Sequence, residues 1–462
     1  NGEALTYILE HSEARACFVG KMDDTANLQT GVPANVPLIT LPLAPALKAT
    51  LGWSDLLAQN APMTGEPAPH IDAVSTIIYT SGTTGKPKGV VHSYRTMAWG
   101  VTSATRRVRM DVHDRYISYL PLAHVAERML IEQASLRYGG RVFFAEALDT
   151  FVQDLQRARP TIFFSVPRLW VKFQHGIHSK MPAKKLNLLM DLPIIGGIVR
   201  RKILKGLGLD QCRVAAGGAA PMPADVLQWY RKLGLDLIEV YGMTENCAVS
   251  HSTIVGQPRL GSVGPAYEGV ECKIDKATGE IMTRSEAQML GYYKEPDLTA
   301  AAVTPDGWLH TGDKGSIDGE GNLKITGRVK DLFKTSKGKF VAPSPIENRL
   351  NAHPMVELSM VSGVGQPAAY AIVVVAEALR RGVDKEKDQS YYLCGLTQAQ
   401  LAVFLTPLGE WTKSRTRREA QRTGLPLCAV EVVRVRRLPR LSSGKVDRAA
   451  LLASLRLPDV EP

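Results

Sequence analysis

One stretch near the start of the chain has the sequence Thr80-Ser81-Gly82-Thr83-Thr84-Gly85-Lys86-Pro87-Lys88-Gly89. Its three glycines free the backbone from the φ limits of other residues, so successive N–H groups can turn toward an anion. The hydroxyls of Ser81, Thr83 and Thr84 add donors, and the two lysines add positive charge. This composition favours a cradle for a polyphosphate, and a flexible surface loop is the alternative interpretation.

The spacing of this stretch differs from that of a Walker A loop, which places four residues between its first glycine and the Gly-Lys pair. Only Thr83 and Thr84 lie between Gly82 and Gly85, and Pro87 stands where a serine or threonine would bind magnesium. Residues 75–79, a β-branched and aromatic run, predict a buried strand just before it. The stretch therefore predicts a phosphate-binding loop of another type.

Length and composition limit the class of protein. A chain of 462 residues exceeds one typical core, so we expect two or more domains. Its formal net charge of +11 favours anionic ligands or surfaces. The basic residues are spread out and form no stripe with aromatic residues, and the cysteines and histidines lack zinc-finger spacing. We therefore expect no nucleic-acid partner. Six scattered cysteines without C-x-x-C predict reduced thiols and a cytoplasmic protein.

The sequence also bears on membrane contact. No apolar run reaches the roughly 20 residues of a transmembrane helix. Residues 176–206 instead mix apolar residues with seven basic ones, Lys180, Lys184, Lys185, Arg200, Arg201, Lys202 and Lys205. Such a basic amphipathic surface favours peripheral contact with a membrane or an anionic ligand, and a solvated helix face is the alternative. The oligomeric state is not indicated by the sequence.

Two strand-like runs end in residues suited to hold a nucleotide. After one run comes Gly217-Gly218-Ala219-Ala220-Pro221, whose small residues let a flat ring approach the backbone. After another comes Tyr241-Gly242-Met243-Thr244-Glu245. Here Tyr241 can stack on a base, Thr244 can donate to a phosphate and Glu245 can hold magnesium. Ligands of open α/β sheets lie at the carboxyl ends of strands, so these residues predict one site.

A third run ends in Pro121 and is followed by His124, which opens a predicted helix at the same kind of edge. The alternative for His124 is a capping or packing role. After residue 255, short strands and glycine turns predict a small β subdomain. In it, Asp313 follows Gly312 in a predicted glycine turn and is suited to accept both hydroxyls of a ribose. A solvated turn aspartate is the alternative there.

The last part of the chain has a different texture. Gly327-Arg328-Val329-Lys330-Asp331 predicts a domain boundary, beyond which the chain becomes basic and glycine-rich. A fresh helix is predicted at residues 344–347, with proline in its first turn. Near the end, Ser443-Gly444-Lys445 presents one lysine on a glycine hinge. An ordinary surface lysine is the alternative for Lys445.

Together, these segments resemble the adenylate-forming superfamily, which comprises acyl- and aryl-CoA synthetases, peptide-synthetase adenylation domains and luciferases. Five motifs occur in the family's order, namely residues 80–89, 241–245, 307–313, 327–331 and 444–445. Residues 119–128, 165–170 and 334–343 are similar to long-chain fatty acyl-CoA synthetases in particular. The ending Ser442-Ser443-Gly444-Lys445 is more typical of short-chain, aryl or peptide-synthetase members.

The resemblance implies an α/β fold: a large N-terminal domain of layered α/β subdomains with a small β subdomain, then a small mobile α+β C-terminal domain. It places an AMP-binding domain at residues 1–328, a hinge at residues 329–331 around Lys330, and the C-terminal domain at residues 332–462. It also implies a longer N-terminal portion than this chain has, so we expect the natural protein to start earlier.

The implied reaction is ATP-dependent activation of a carboxylic acid, here a medium- or long-chain fatty acid, to acyl-AMP and then to acyl-CoA. ATP, Mg²⁺ and coenzyme A would take part. One alternative is a ligase that loads acyl-AMP onto a carrier protein, and another is a non-catalytic nucleotide-binding homologue. The length of the preferred acid is not fixed by these motifs.

The resemblance also implies roles for individual residues. The phosphates of ATP would contact Thr80, Ser81, Gly82, Thr83, Thr84, Gly85, Lys86 and Lys88. The adenine would contact Gly217, Gly218, Ala219, Ala220, Pro221, Tyr241 and Gly242. Asp313 and Arg328 would hold the ribose, and Glu245 would hold the metal ion beside Thr244.

The remaining roles concern the two half-reactions. Lys445 would bridge the acid carboxylate and the α-phosphate, and His124 would lie near the acyl site. A swing of the C-terminal domain about Lys330 would then remove Lys445. The same swing would bring in a coenzyme A-side loop made of Ser336, Lys337, Gly338 and Lys339.

Overall fold

A computed structural model of the chain describes residues 2–22, 25–47, 51–80, 86–257, 259–329, 331, 333–336, 338, 340–341, 343–351, 356–364, 369–375, 389–396 and 430–435. The predictions for residues 81–85, Lys330, Lys337, Lys339 and Lys445 lie outside these described residues. Helices and strands alternate along the chain, which confirms the predicted α/β class.

The N-terminal layer is a three-stranded parallel sheet accompanied by short helices. Its elements are α1 (Gly2–His11), β1 (Cys17–Val19), α2 (Ala26–Gly31), β2 (Leu38–Thr40), β3 (Leu51–Gly52) and α3 (Trp53–Gln59). The first two helices approach closely because both carry glycine where they meet: a Cβ on Gly31 would lie 2.7 Å from the carbonyl oxygen of Gly2. The hydroxyl of Thr6 also donates to the carbonyl of Gly31 (2.9 Å), which fixes the pair.

A β-hairpin carries the glycine-rich stretch. Strands β4 (Val74–Thr80) and β5 (Lys88–Ser93) pair antiparallel, with Thr80 opposite Lys88 at the loop end. The predicted strand at residues 75–79 is thus confirmed, but only Ile78 of it is buried. Helix α4 (Tyr94–Val108) follows at once, because Ser93 Oγ accepts a hydrogen bond from Thr96 N (3.2 Å) and caps it. The loop is therefore held by paired strands on both sides.

Parallel strands with helical connections make up the largest layer. The strands β6 (Arg115–Ser118) and β7 (Arg141–Phe144) pair with each other. They are joined by α5 (Val125–Glu127), a π-helical segment (Arg128–Gln133) and α6 (Ala134–Tyr138). Next come α7 (Phe151–Ala158), β8 (Ile162–Ser165), α8 (Pro167–Lys180), α9 (Ala183–Asp191), α10 (Ile195–Leu207), β9 (Val214–Gly218), α11 (Ala224–Leu233), β10 (Leu237–Tyr241) and β11 (His251–Ser252). Strands β8 to β11 form one sheet in the order β11-β10-β9-β8, in which only β11 runs antiparallel to its neighbour.

Trp170 is the centre of the main hydrophobic core. Its side chain is fully buried, and its ring makes edge contacts with Phe163 (5.2 Å between centroids) and Tyr230 (4.9 Å). Both polar atoms in this contact find partners: Trp170 Nε1 donates to Ala216 O (3.2 Å), and Tyr230 Oη donates to Trp170 O (2.8 Å). The core thus ties α8 and α11 to the strand β9 that leads into the candidate site.

A small antiparallel sheet follows, as predicted. It contains β12 (Glu271–Ile274), β13 (Glu280–Arg284), β15 (Leu309–Ile317) and β16 (Leu323–Arg328), in that order. The short strand β14 (Gly291–Tyr292) leaves this sheet and pairs with β5, next to α12 (Pro296–Ala302). Asp318 Oδ1 closes the turn before β16 by accepting from the N–H groups of Glu320 (2.9 Å) and Asn322 (2.8 Å).

The C-terminal part is α+β. Its described elements are β17 (Phe333–Lys334), β18 (Phe340–Val341), α13 (Pro343–Asn351), β19 (Val356–Ser362), β20 (Ala369–Val375), β21 (Gln389–Leu396) and β22 (Val430–Val435). The last four strands form one antiparallel sheet. The proposed domain limits at residues 328 and 332 stay a prediction. Over the described residues, we find no helix that is both long and apolar enough for a membrane span.

Candidate active site

Two neighbouring parallel strands bring the predicted adenine-binding residues together. Gly217 lies beside Glu239, and Gly218 lies beside Val240, in the pairing of β9 with β10. Tyr241 is the last residue of β10, so the small-residue turn and the aromatic ring lie at one edge of the sheet. This is the edge at which ligands of parallel sheets are expected.

Packing within the protein is a second reason for glycine at positions 217 and 218. A Cβ on Gly218 would lie 2.7 Å from the carbonyl oxygen of Val240, which is backbone and cannot move aside. A Cβ on Gly217 would lie 2.4 Å from the methyl group of Met222. A side chain at position 218 would therefore displace the backbone of β10 even without a ligand, and one at position 217 would require Met222 to shift. These glycines alone do not identify an adenine site.

Asp313 lies within strand β15, which corrects the expectation of a glycine turn. Gly312 before it has φ +73°, and the pairing with β16 shifts register after Lys314, so an irregular strand accommodates the glycines that suggested a turn. Asp313 is the Cα partner of Arg328 on β16. The strand pairing therefore holds these two predicted ribose residues side by side.

The carboxylate of Asp313 joins the two sheets at this edge. Tyr241 Oη donates to its Oδ2 (2.8 Å), and Arg328 Nε lies 3.1 Å from its Oδ1. Burial and the nearby carboxylate raise the pKa of Tyr241 well above its ordinary value, so the phenol keeps its proton and stays a donor. An ionised carboxylate only accepts hydrogen bonds, at roughly four positions, so Asp313 suits hydroxyl donors such as those of a ribose.

Glu245 lies in a one-turn 3₁₀ helix, Thr244–Asn246, just past the end of β10. Its side chain is 8% exposed, and Tyr292 Oη donates to its Oε1 (2.8 Å). Its carbonyl accepts a hydrogen bond from Met289 N (2.8 Å). The contacts from residues 289 and 292 therefore fix both the backbone and the side chain of this carboxylate.

Tyr292 also connects Glu245 to the glycine-rich stretch. Strand β14 places Tyr292 opposite Val90 of β5, close to the start of that strand. Lys88 Nζ lies 5.0 Å from the centroid of the Tyr292 ring, within range of a cation–π interaction. One phenol thus contacts a lysine of the predicted phosphate loop and the predicted metal-binding carboxylate. Sequence reasoning missed this residue, although Gly291-Tyr292-Tyr293 stands out as a turn with two aromatic residues.

His92 is a second residue that sequence reasoning missed. It is fully buried on β5, and its Nε2 lies 2.8 Å from the carbonyl oxygen of Thr244. Burial lowers the pKa of His92, so the ring is neutral and carries one N–H. A carbonyl only accepts, so that N–H is on Nε2, and Nδ1 faces Thr96 Oγ1 (3.1 Å). His92 therefore positions the turn that carries Thr244 and Glu245.

His124 caps a helix at a neighbouring strand end. Its Nδ1 accepts from Ala126 N (3.2 Å) at the start of α5, which agrees with the capping alternative. The buried Glu127 accepts from Ser118 Oγ (2.6 Å) and from Leu120 N (3.3 Å). Burial raises the pKa of Glu127. This network fixes the turn after β6, so the ring of His124 is held in one place whether or not it contacts a substrate.

The structure describes both ends of the predicted phosphate loop. Thr80 and Lys88 face each other across the hairpin, and Lys86 Nζ lies 5.6 Å from the ring centroid of Tyr7. In the C-terminal part of the chain, Ser336 and Gly338 of the predicted coenzyme A-side loop lie between the paired strands β17 and β18. The structure thus places these predicted residues on two separate hairpins.

A magnesium ion fits this site only with help from a substrate. Among the described residues, no group of three or more His, Cys, Asp and Glu side chains could enclose a metal. Glu245 offers a fixed carboxylate, one oxygen of which accepts a hydrogen bond from Tyr292. One carboxylate together with phosphate oxygens and waters is an ordinary ligand set for magnesium, so the residues fit an ion that arrives with a nucleotide.

Comparison with known proteins bears on the family of the chain. A protein-family model described as AMP-binding enzyme matches residues 1–293. A second model, described as tRNA methyl transferase HUP domain, matches residues 369–431, far less than half of the chain. The strands described in that second range pair antiparallel.

Similar proteins include a long-chain-fatty-acid–CoA ligase of Xenopus laevis. It is 30% identical over 420 residues, which cover 79% of this chain and 56% of the relative. A putative fatty-acid–CoA ligase of Mycobacterium tuberculosis is 33% identical over 347 residues, which cover 67% of this chain and 61% of the relative. The chain spans about half the length of the curated relatives that it matches.

Among solved structures, the O-succinylbenzoate coenzyme A synthetase of Bacillus subtilis, in complex with ATP and a magnesium ion, has the same fold. It is 24% identical, with a TM-score of 0.62, over 81% of this chain and 72% of that one. The AMP-binding model covers well over half of the sequence. The family model and these relatives agree, and the chain belongs to the AMP-binding enzyme family.

Proposed function

We propose that the protein activates a carboxylic acid with ATP and transfers the acyl group to coenzyme A. The observation that carries this proposal is the convergence of Lys88 and Glu245 on Tyr292, beside the glycine-rich hairpin. A cation for phosphate and a carboxylate for a metal ion are thus fixed next to each other. The contacts among Tyr241, Asp313 and Arg328 supply a place for the ribose of the same nucleotide.

In the first step, an oxygen of the acid attacks the α-phosphorus of ATP, the bond to the bridging oxygen breaks, and pyrophosphate leaves. This in-line displacement needs charge neutralisation and fixed positions rather than an acid or a base. Lys86 and Lys88 face the leaving pyrophosphate in this proposal. Lys445, assigned by the family resemblance, neutralises the α-phosphate and the acid carboxylate.

Glu245, with phosphate oxygens and water, would hold a magnesium ion that supplies further charge neutralisation. Tyr292 keeps the carboxylate oriented by donating to one oxygen, and His92 fixes the backbone of Thr244 beside it. In the second step, the thiolate of coenzyme A attacks the acyl carbonyl, and the bond to AMP breaks. The proton of the thiol goes to solvent.

A medium- or long-chain fatty acid is our proposal for the carboxylate. The names of the relatives from Xenopus laevis and Mycobacterium tuberculosis support it. The Bacillus subtilis neighbour is named for a different acid, so the choice of acid needs a direct test.

The test measures pyrophosphate release by the full chain with saturated fatty acids of increasing length, o-succinylbenzoate and benzoate, with and without coenzyme A. We expect release that depends on a fatty acid, and acyl-CoA as the product when coenzyme A is present. Release without any thioester would favour a carrier-protein acceptor. Absence of release with every acid, despite bound nucleotide, would leave a non-catalytic homologue.

A further inference from the structure

The hairpin of helices α9 and α10 has an apolar tip that faces solvent. Five aliphatic side chains at the tip are exposed: Leu188 (65%), Leu192 (39%), Ile194 (86%), Ile195 (48%) and Ile198 (64%). Single exposed aliphatic residues are common on proteins, but here five are exposed within eleven residues around one helix–helix turn. Exposure of these apolar side chains to water is unfavourable, which indicates a surface that contacts an apolar partner.

The tip is held rigidly by the domain beneath it. Leu186 and Met190 of α9, and Leu207 of α10, are buried in the main core. A Cβ on Gly196 would lie 2.3 Å from the carbonyl oxygen of Met190, so the two helices meet closely. Arg200 also donates to that carbonyl (2.7 Å). The exposed side chains therefore belong to a fixed feature and cannot fold back into the core.

Ile194 occupies an unfavourable backbone conformation. It has φ +64° and ψ −58°, a region that β-branched residues rarely adopt. Its side chain is at the same time the most exposed of the tip. Glycine or asparagine is more common at a positive φ, and a polar residue is the usual choice at a helix start. An exposed isoleucine in this conformation favours a role in contact with a partner.

A basic rim, made of charged residues farther along the same two helices, flanks the tip. Five side chains on the same two helices are exposed and cationic: Lys184, Lys185, Arg201, Lys202 and Lys205. In the part of the chain that the structure describes, none of the five forms an ion pair. Asp191, the one acidic residue between positions 180 and 205, is neutralised by Lys232 (2.8 Å). The rim is therefore uniformly positive.

We propose that the α9–α10 tip inserts into the interface of an anionic lipid bilayer. Branched aliphatic side chains match acyl chains, and the lysines and arginine behind them lie at the level of the phosphate groups. A nucleic acid would need aromatic or polar groups at the tip rather than isoleucines. A second copy of the chain would bring two positive rims together, which repel each other in a symmetric contact.

Vesicle co-sedimentation of the full chain, without substrates, tests this proposal independently of catalysis. The probes are vesicles of phosphatidylcholine alone and vesicles with one third phosphatidylglycerol. We expect binding to the anionic vesicles, weakened by salt, and little binding to the neutral ones. Ile194→Ser with Ile198→Ser should lower the partition coefficient at least about tenfold. Lys202→Gln with Lys205→Gln should lower it and reduce the salt dependence.

Matched controls carry the same changes elsewhere on the surface. Leu57→Ser removes an exposed aliphatic side chain from α3, and Lys276→Gln with Lys324→Gln removes two exposed charges from the β subdomain. These controls should bind as the wild type does. Equal binding by the tip variants, or none by the wild type, would refute the proposal. A dimer that dissociates on Ile194→Ser would assign the patch to a second copy instead.

Discussion

The phenol of Tyr292 lies between a lysine and a carboxylate that both belong to the proposed ATP site. Tyr292→Phe keeps the ring under Lys88 but removes the hydrogen bond to Glu245. A hydrogen bond to a charged group contributes about 1.5–3 kcal/mol, so we expect kcat/KM for ATP in acyl-adenylate formation to fall about tenfold or more. The concentration of Mg²⁺ needed for half-maximal rate should rise.

Tyr293→Phe is the matched control for this variant. It removes the neighbouring hydroxyl, which donates to Glu13 on the exposed surface (3.2 Å). Its rate and Mg²⁺ requirement should stay close to those of the wild type. If both variants lose the same activity, Tyr292 does not act through Glu245.

Glu239 provides a pH-dependent contribution to stability beside the predicted adenine-binding turn. It is 8% exposed, and burial raises its pKa to about 7. Between its ordinary pKa and this value, the unfolded chain loses the proton first, so stability falls as pH rises. By pH 8 the loss amounts to about 3 kcal/mol. Glu239→Gln removes this loss, so the variant should gain stability relative to the wild type as pH rises from 5 to 8.

The measurement is the difference in thermal midpoint between the two proteins at each pH. His251, whose pKa burial lowers to about 4, titrates in the same range with the opposite sign. Its contribution is common to both proteins and cancels in the difference. A difference that stays constant from pH 5 to pH 8 would show that Glu239 is ionised in the folded state throughout.

At the scale of elements, sequence patterns predict strands and their carboxyl ends well. Short apolar runs precede Gly217 and Tyr241, and short apolar runs bounded by turn residues are typical of strands buried in a sheet. The same patterns cannot reveal Tyr292 or His92. Their partners lie 47 and 152 residues away in sequence, because residues of β14 and β5 contact the turn after β10. The prediction of a turn at Asp313 is wrong for another reason, since glycine suits an irregular strand as well as a turn.

The hinge is an element whose role rests on the family resemblance. Proline at position 330 fixes φ and removes a backbone donor, so it opposes the swing between the two half-reactions. Lys330→Pro should leave acid-dependent pyrophosphate release nearly intact and abolish thioester formation. Lys445→Ala should do the reverse: it should block release while thioester formation from supplied acyl-AMP continues. Equal loss of both steps in either variant would contradict the assigned role.

At the scale of the whole molecule, the proposed nucleotide site joins two sheets. Tyr241 belongs to the parallel sheet and Asp313 to the antiparallel one, and a hydrogen bond of 2.8 Å connects the two side chains. A ligand that binds both should stabilise the two sheets together. At 100 times its dissociation constant, AMP would add about 2.7 kcal/mol, which should raise the thermal midpoint by a few degrees.

Asp313→Asn tests whether this stabilisation passes through the ribose residues. The amide keeps the shape of the carboxylate but removes its charge, and it offers two donors where hydroxyls need acceptors. We expect the AMP-dependent shift to shrink to a small fraction, measured by differential scanning fluorimetry at fixed Mg²⁺. Asp297→Asn, at an exposed position on α12, is the control and should keep the full shift. A full shift in Asp313→Asn would place the nucleotide away from this sheet edge, because no ligand held by Asp313 could tolerate that change.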